Sequence, residues 1–253
     1  MQYTISHRMS DVHGSAIREL FKLGADPNMI SFGGGNPSAE TFPVPEIAEI
    51  MADVMKNAPV SVLQYGLSEG YTPLRDTMKE YLARTQGFDF EKNELFIVSG
   101  GQQCADLTTK VLVNEGDVIL TEDPAFVGCL NTFRSYGAKL VGVPMQQDGM
   151  DIDALEAALK ANPNAKLLYT IPSFQNPSGI TTTLEKRKRS MSLPASTTSP
   201  SSRTIPTASC ASPARMSRPS SRWTPRAASC MPAASPRSWP RHSASASAFL
   251  TSR

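Results

Sequence analysis

A chain of 253 residues, 40% of them hydrophobic, has room for one large or two modest globular domains. Its formal charge of +2 hides an asymmetry: 17 Lys and Arg face 23 acids in residues 1–189, a net −6, whereas residues 190–253 carry eight arginines and no acid. The acidic part excludes a nucleic-acid partner, since neutralising phosphates takes clustered basic residues.

No run of eighteen apolar residues occurs, and the N-terminal MQYTISHRMSDVHGS lacks an apolar signal core, so a soluble cytoplasmic chain without a membrane partner is expected. Cys104, Cys129, Cys210 and Cys230 have no metal-ligand spacing and read as reduced thiols.

In chain order, Ser15 to Leu23 predicts a short helix stopped by Gly24, and the glycine-rich Ile30 to Ser38 predicts loop or edge. Pro45 to Lys56 has a helical period, with Ile47, Ile50, Met51 and Met55 as its apolar face. Thr72-Pro73 opens a further helix, Thr72 as N-cap, with Leu74, Met78, Tyr81 and Leu82 buried and Gly87 ending it. From there strands and helices alternate. Strands are expected at Leu95–Val98, Val118–Thr121, Lys139–Val143 and Leu167–Thr170, and helices at Gln102–Leu112, Val127–Tyr136 and Ile152–Ala161. That order predicts an α/β fold, a mostly parallel sheet with helices on both faces. Ligands of such sheets sit beyond the carboxyl ends of the strands, so loops 99–103, 122–126 and 171–179 should converge.

Those loops hold the unusual residues. Ser99-Gly-Gly-Gln-Gln103 leaves a strand and starts a helix, where backbone N–H groups can cradle a phosphate; a tight turn without ligand explains it equally well. Glu122-Asp-Pro-Ala-Phe126 puts an aromatic ring near the same edge, although Phe126 could equally cap a helix or pack in the core. In Ile171-Pro-Ser-Phe-Gln-Asn-Pro-Ser-Gly179, Asn176 is held extended by Pro177 with its amide able to donate to an oxygen.

With Ser31-Phe-Gly-Gly-Gly-Asn-Pro-Ser38 and Leu63-Gln-Tyr-Gly-Leu-Ser-Glu-Gly-Tyr71, these make five ordered motifs. Together they resemble the N-terminal portion, over residues 28–189, of class I (fold type I) aminotransferases that use pyridoxal phosphate. The aminoadipate/aromatic branch, which also supplies the effector domain of some bacterial regulators, is most similar. The resemblance implies the fold type I large domain and an amino-acid and 2-oxo-acid substrate pair. It implies that Gly101 and Gln102 hold the cofactor phosphate, Phe126 stacks on the pyridine ring and Asn176 binds the ring hydroxyl oxygen. Tyr65 would reach the phosphate of a neighbouring subunit, hence a homodimer, and Gly34 would lend a main-chain amide to the substrate carboxylate. Many relatives carry Ser or Thr where Gly101 stands, so a phosphate-binding hydroxyl is lacking.

After Arg189 the composition changes: no Asp, Glu, Lys, Gly, Val, Tyr, Asn or Gln follows. Such a Ser/Pro/Ala/Arg segment cannot offset its chain entropy by burial and is expected to be disordered, leaving the sheet incomplete with an unpaired edge. The resemblance requires, downstream of Asn176, an Asp for the pyridine nitrogen and a Lys for the Schiff base. Neither residue type occurs there, and no catalytic residue is assigned. The genetic code offers a reason. Read one base earlier with synonymous codons, Ser192 to Cys210 yields a strand ending Glu-Asp-Asn-Pro-Tyr, its Asp codon straddling Arg203 and Thr204. In the same shifted frame, the stretch after Ala227 yields Ser-Phe-Ser-Lys, its Lys codon straddling Pro236 and Arg237. The shift is placed near Arg187–Met191. The expected organisation is an N-terminal arm and small-domain segment at 1–44, the first part of the cofactor-binding domain at 45–189, and a non-native tail at 190–253. The resulting expectation is an aminotransferase by family, inactive as written; an effector-binding remnant of an aminotransferase-like regulator is the alternative.

Overall fold

The computed structural model describes residues 39–91 and 93–193, short stretches at 4 and 6–9, and the backbone of 207–210, 229–232 and 247–252. The predicted helix at Ser15–Leu23 and the loop at Ile30–Ser38, with Gly34, lie outside the described residues.

Two central strands organise the rest. In β2 (Val118–Asp123) and β5 (Ala165–Thr170) neighbouring side chains point to opposite faces. Ile119, Leu167 and Tyr169 pack on one face with Ala105, Cys129 and Phe133. Val118, Leu120 and Leu168 pack on the other with Val143, Leu155 and Leu159. The first face is therefore covered by α4 (Gly100–Leu112) and α5 (Val127–Ser135), the second by α6 (Ile152–Ala161). The Phe133 and Tyr169 rings meet edge to face, centroids 5.3 Å apart. Asp151 caps α6, its carboxylate accepting from the amides of Asp153 and Ala154 at 3.0 Å each.

Earlier in the chain come α1 (Val44–Asn57), the short α2 (Pro59–Leu63) and α3 (Thr72–Gln86). Helix α3 lays Met78 and Leu82 on Leu95 of β1 (Asn93–Val98). Arg75 fixes that packing, bonding Glu94 at 2.8 Å and donating from Nε to the Leu95 carbonyl at 3.0 Å. Gly87 ends α3 at φ 71°, a left-handed cap that glycine adopts without steric penalty. The cap at the other end differs from expectation: Tyr71 is the N-cap, and Thr72 is already inside the helix, its first residue.

The sheet runs β1-β8-β7-β6-β5-β2-β3-β4, with β3 (Lys139–Gln146), β4 (Gly149–Met150), β6 (Thr207–Cys210), β7 (Ser229–Pro232) and β8 (Ser247–Ser252). Pairings from β3 through β2, β5 and β6 to β7 are parallel. Those of β8 with β7 and β1, and of β4 with β3, are antiparallel. The α/β class and the parallel centre follow the sequence reading. A final helix, α7 (Leu184–Ser192), follows the 171–179 loop.

Two expectations need correction. The β1 and β5 edges toward the tail are not bare, because three segments of 190–253 pair there. Open strand edges present unsatisfied N–H and C=O groups, and backbone of any composition can meet them. Cys104 is not a reduced thiol but disulfide-bonded, whereas Cys129 is free and buried. On the apolar face of α1, Ile50, Met51 and Met55 are exposed.

Candidate functional site

Three loops meet at the carboxyl ends of β1, β2 and β5. The first turns directly from β1 into α4. Gly100 takes φ +81°, and Ser99 makes no side-chain cap bond, so the first-turn amides are not capped by it. Gln102 reaches across to α5, donating from Nε2 to the Gly128 carbonyl at 3.0 Å and to Thr132 Oγ1.

The second loop ends at Phe126, the N-cap of α5, whose ring packs partly against the core. Gly128 lets this ring and Gln102 come together. A Cβ there would stand 2.6 Å from Phe126 Cε1 and 2.8 Å from Gln102 Oε1. The sequence reading missed this glycine.

The third loop hangs on a buried carboxylate. Glu122, 1% exposed at the end of β2, accepts from Thr170 Oγ1, from the Ile171 amide at 2.9 Å and from Gln175 Nε2 at 3.0 Å. Burial pushes its carboxyl above the usual range, and the three donors pull it partly back. Gln175 also donates to the Pro124 carbonyl at 2.7 Å and accepts from the Ser178 amide at 2.8 Å and hydroxyl at 2.6 Å. Behind the loop, Arg187 of α7 donates to the carbonyls of Thr182 at 2.8 Å and Pro172 at 2.6 Å and to Ser173 Oγ at 3.0 Å. Glu122 and Gln175 escaped the sequence reading, although a Glu closing the apolar run Val118-Ile-Leu-Thr was a visible signal.

Of the residues singled out in the sequence, Gln102 and Phe126 both lie within 3 Å of where a Cβ on Gly128 would stand, and Gly101 sits in the first turn of α4 beside Gln102. Asn176 follows Gln175 on the latched loop, exposed, its amide making no hydrogen bond to the described residues. Tyr65 stands apart, 99% exposed after α2.

This arrangement suits a phosphorylated aromatic ligand: helix-start amides for an anion, a ring to stack on, and an amide for a polar substituent. Residues 27–193 match the family described as aminotransferase class I and II. The chain belongs to that family. It is 38% identical over 192 residues to aromatic-amino-acid aminotransferase 1 of Thermococcus litoralis, covering 74% of this chain and 46% of that protein. With the 2-aminoadipate transaminase of Thermus thermophilus it shares 41% over 178 residues, 70% of this chain and 43% of that one. Kynurenine aminotransferase from Pyrococcus horikoshii, solved with PMP, superposes at a TM-score of 0.80 with 27% identity, over 97% of this chain and 61% of that one. The chain thus spans less than half the length of the two curated aminotransferases. The cofactor of this fold type I family is pyridoxal phosphate, and the donor set around Gln102, Phe126 and Asn176 fits such a group. Among the described residues no helix is long and apolar enough to cross a membrane.

Proposed function

We propose that residues 45–189 form the non-covalent half of a pyridoxal-phosphate site for amino-group transfer between an amino acid and a 2-oxo acid. The observation that carries this reading is the convergence of Phe126 and Gln102 on Gly128, each within 3 Å of where its Cβ would stand, with Gln102 at the start of the helix expected to hold an anion. The bound cofactor supplies an electron sink for the carbon that carries the amino group. Gly101 and Gln102, through the amides of the first turn of α4, bind the phosphate. Phe126 orients the ring by stacking on one face and shields it from water. Asn176 donates its side-chain N–H to the ring hydroxyl oxygen and holds negative charge there. Gly34 contributes a main-chain amide to the substrate carboxylate.

The covalent anchor is a different matter. After Lys188 the sequence has no lysine, and after Asp153 no aspartate. The chain as written therefore lacks both the lysine that moves the proton and the carboxylate that holds the pyridine nitrogen, and it transfers no amino group. Expressing the gene as it stands beside a version with one base restored near codons 187–191 tests this. The reading requires transaminase activity only in the second. A restored protein that binds the cofactor yet transfers nothing would favour the effector-sensing alternative.

A second copy of the chain completes the reading. Tyr65 points to solvent within an exposed apolar stretch that includes Met51, Met55, Val60, Leu63 and Leu67. Such a patch marks a protein interface, and a homodimer would bring Tyr65 to the neighbouring phosphate. Sedimentation of the parent against Leu63→Asp tests it: the parent should run as a dimer and the variant as a monomer.

A further inference from the structure

We propose that Glu122 and Gln175 are positioning residues, a buried latch that sets where Asn176 stands relative to Phe126. The inference rests on the cofactor site proposed above. Gln175 sits immediately before Asn176 in the chain. Its amide group donates to Glu122 and to the Pro124 carbonyl, two residues ahead of Phe126, so one side chain spans both ligand-bearing loops.

The latch has a defined polarity. Both ends of the Gln175 amide are engaged: Nε2 donates to the carboxylate and to the carbonyl, and Oε1 accepts two bonds from Ser178. Turning the amide over would set donors against the Ser178 amide and an oxygen against Glu122, so only one orientation satisfies all partners. Glu122 is fixed in turn by Thr170 and Ile171. The loop needs this restraint. Phe174 holds φ 52°, an uncommon left-handed conformation for a bulky residue, and its ring is exposed. Packing therefore does not keep it there. The bonds from the Phe174 amide to Thr181 Oγ1 at 3.1 Å and from the Gln175 amide to the Ile180 carbonyl at 2.8 Å do, on a loop anchored through Gln175.

The polarity makes the proposal testable by exchange of partners in the full-length chain. E122Q sets an amide against the Gln175 amide, and Q175E sets a carboxylate against Glu122. Each should loosen the loop, speeding deuterium exchange at the Gln175-position and Thr182 amides about tenfold or more, the scale of a buried partner left unsatisfied. Each should also weaken pyridoxal phosphate binding, read by fluorescence titration, by about tenfold. The double variant E122Q/Q175E restores a donor facing an acceptor between the two side chains but not the bond to the Pro124 carbonyl, and should recover both readouts by about threefold from the single variants without reaching the parent. S178A, which removes the hydroxyl bond to Gln175 and a longer one at 3.3 Å from the Ile180 amide, covers the case of a single variant that does not fold; it should move both readouts in the same direction by less. Three results overturn the proposal: single variants that match the parent, a faster-exchanging loop with unchanged affinity, or a double variant with no recovery. A parent that binds no pyridoxal phosphate sinks the site reading itself, and the positioning role falls with it. That outcome is distinguishable from failure of the latch alone, in which the parent binds and the exchange of partners has no effect.

Discussion

Gly128→Ala is the substitution that bears most directly on the cofactor site. The added methyl would lie 2.6 and 2.8 Å from Phe126 Cε1 and Cζ and 2.8 Å from Gln102 Oε1, closer than a Cβ normally approaches any heavy atom. Either the Phe126 ring turns out or Gln102 gives up its bonds to Gly128 and Thr132. Overpacking of this kind costs about 1–3 kcal/mol, and each released hydrogen bond about 0.5–1.5 kcal/mol. Alanine returns up to about 1 kcal/mol by its better helix propensity, less in a first turn. The net loss of stability is therefore about 1–2 kcal/mol, a fall in Tm of roughly 2–8 °C for a chain of this size. Binding should suffer out of proportion, because the displaced groups are the two assigned to phosphate and ring. We expect pyridoxal phosphate affinity to drop about tenfold, equal to about 1.4 kcal/mol, in a fluorescence titration of protein shown to be folded by circular dichroism. A variant that binds within about twofold of the parent, at whatever Tm, would refute the assignment.

Phe133→Ala empties the centre of the larger core, where Phe133 is fully buried against Tyr169, and should cost about 3–5 kcal/mol by urea denaturation. Glu122→Gln should change the pH profile of stability. The folded carboxyl is raised by burial, so the folded state holds its proton more tightly than the unfolded chain. That stabilisation is complete below the ordinary carboxylate range and is lost as pH rises through the raised value, so the Tm of the parent should fall relative to E122Q over that rise. Arg187→Lys loses a planar donor set that meets three acceptors at once and should cost about 1–3 kcal/mol, read as Tm, with faster exchange at the Thr182 amide.

Much of the fold was legible because its signals are local. Apolar strands of period two and helices with one buried stripe can be read from the residues, and α6 was bounded at Ile152 and Ala161 as observed. Strand ends were placed short: β3 runs on to Gln146, since main-chain pairing, with β2 as far as Pro144 and with β4 at Met145 and Gln146, does not need apolar side chains. The loops of the candidate site were legible where a motif marks them, as with Glu122–Phe126 and Ile171–Gly179, which Gln175 ties together. The site was illegible where residues act on other residues. Glu122 and Gln175 are 53 positions apart and meet only through the parallel pairing of β2 with β5. The apolar period of α1 was legible, yet Ile50, Met51 and Met55 on it are exposed, because periodicity gives a face and not what covers it.

Arg187 bears on where the proposed shift of reading frame lies. Its Nε and Nη2 make three hydrogen bonds to the loop before it, and the Ser190 hydroxyl still donates to the Arg187 carbonyl at 2.9 Å. The residues up to that turn thus belong to one consistent structure, and the loss of acidic and lysine residues starts immediately after it.

The central claim is that this chain carries the pocket's non-covalent half without a covalent anchor. Incubating the full chain and its one-base-restored counterpart with pyridoxal phosphate, reducing with borohydride and mapping the peptides by mass spectrometry tests it directly. The account predicts a stoichiometric phosphopyridoxyl lysine in the restored protein, within its Ser-Phe-Ser-Lys segment, and none in the chain as written. A stoichiometric adduct on one lysine of the chain as written would contradict it.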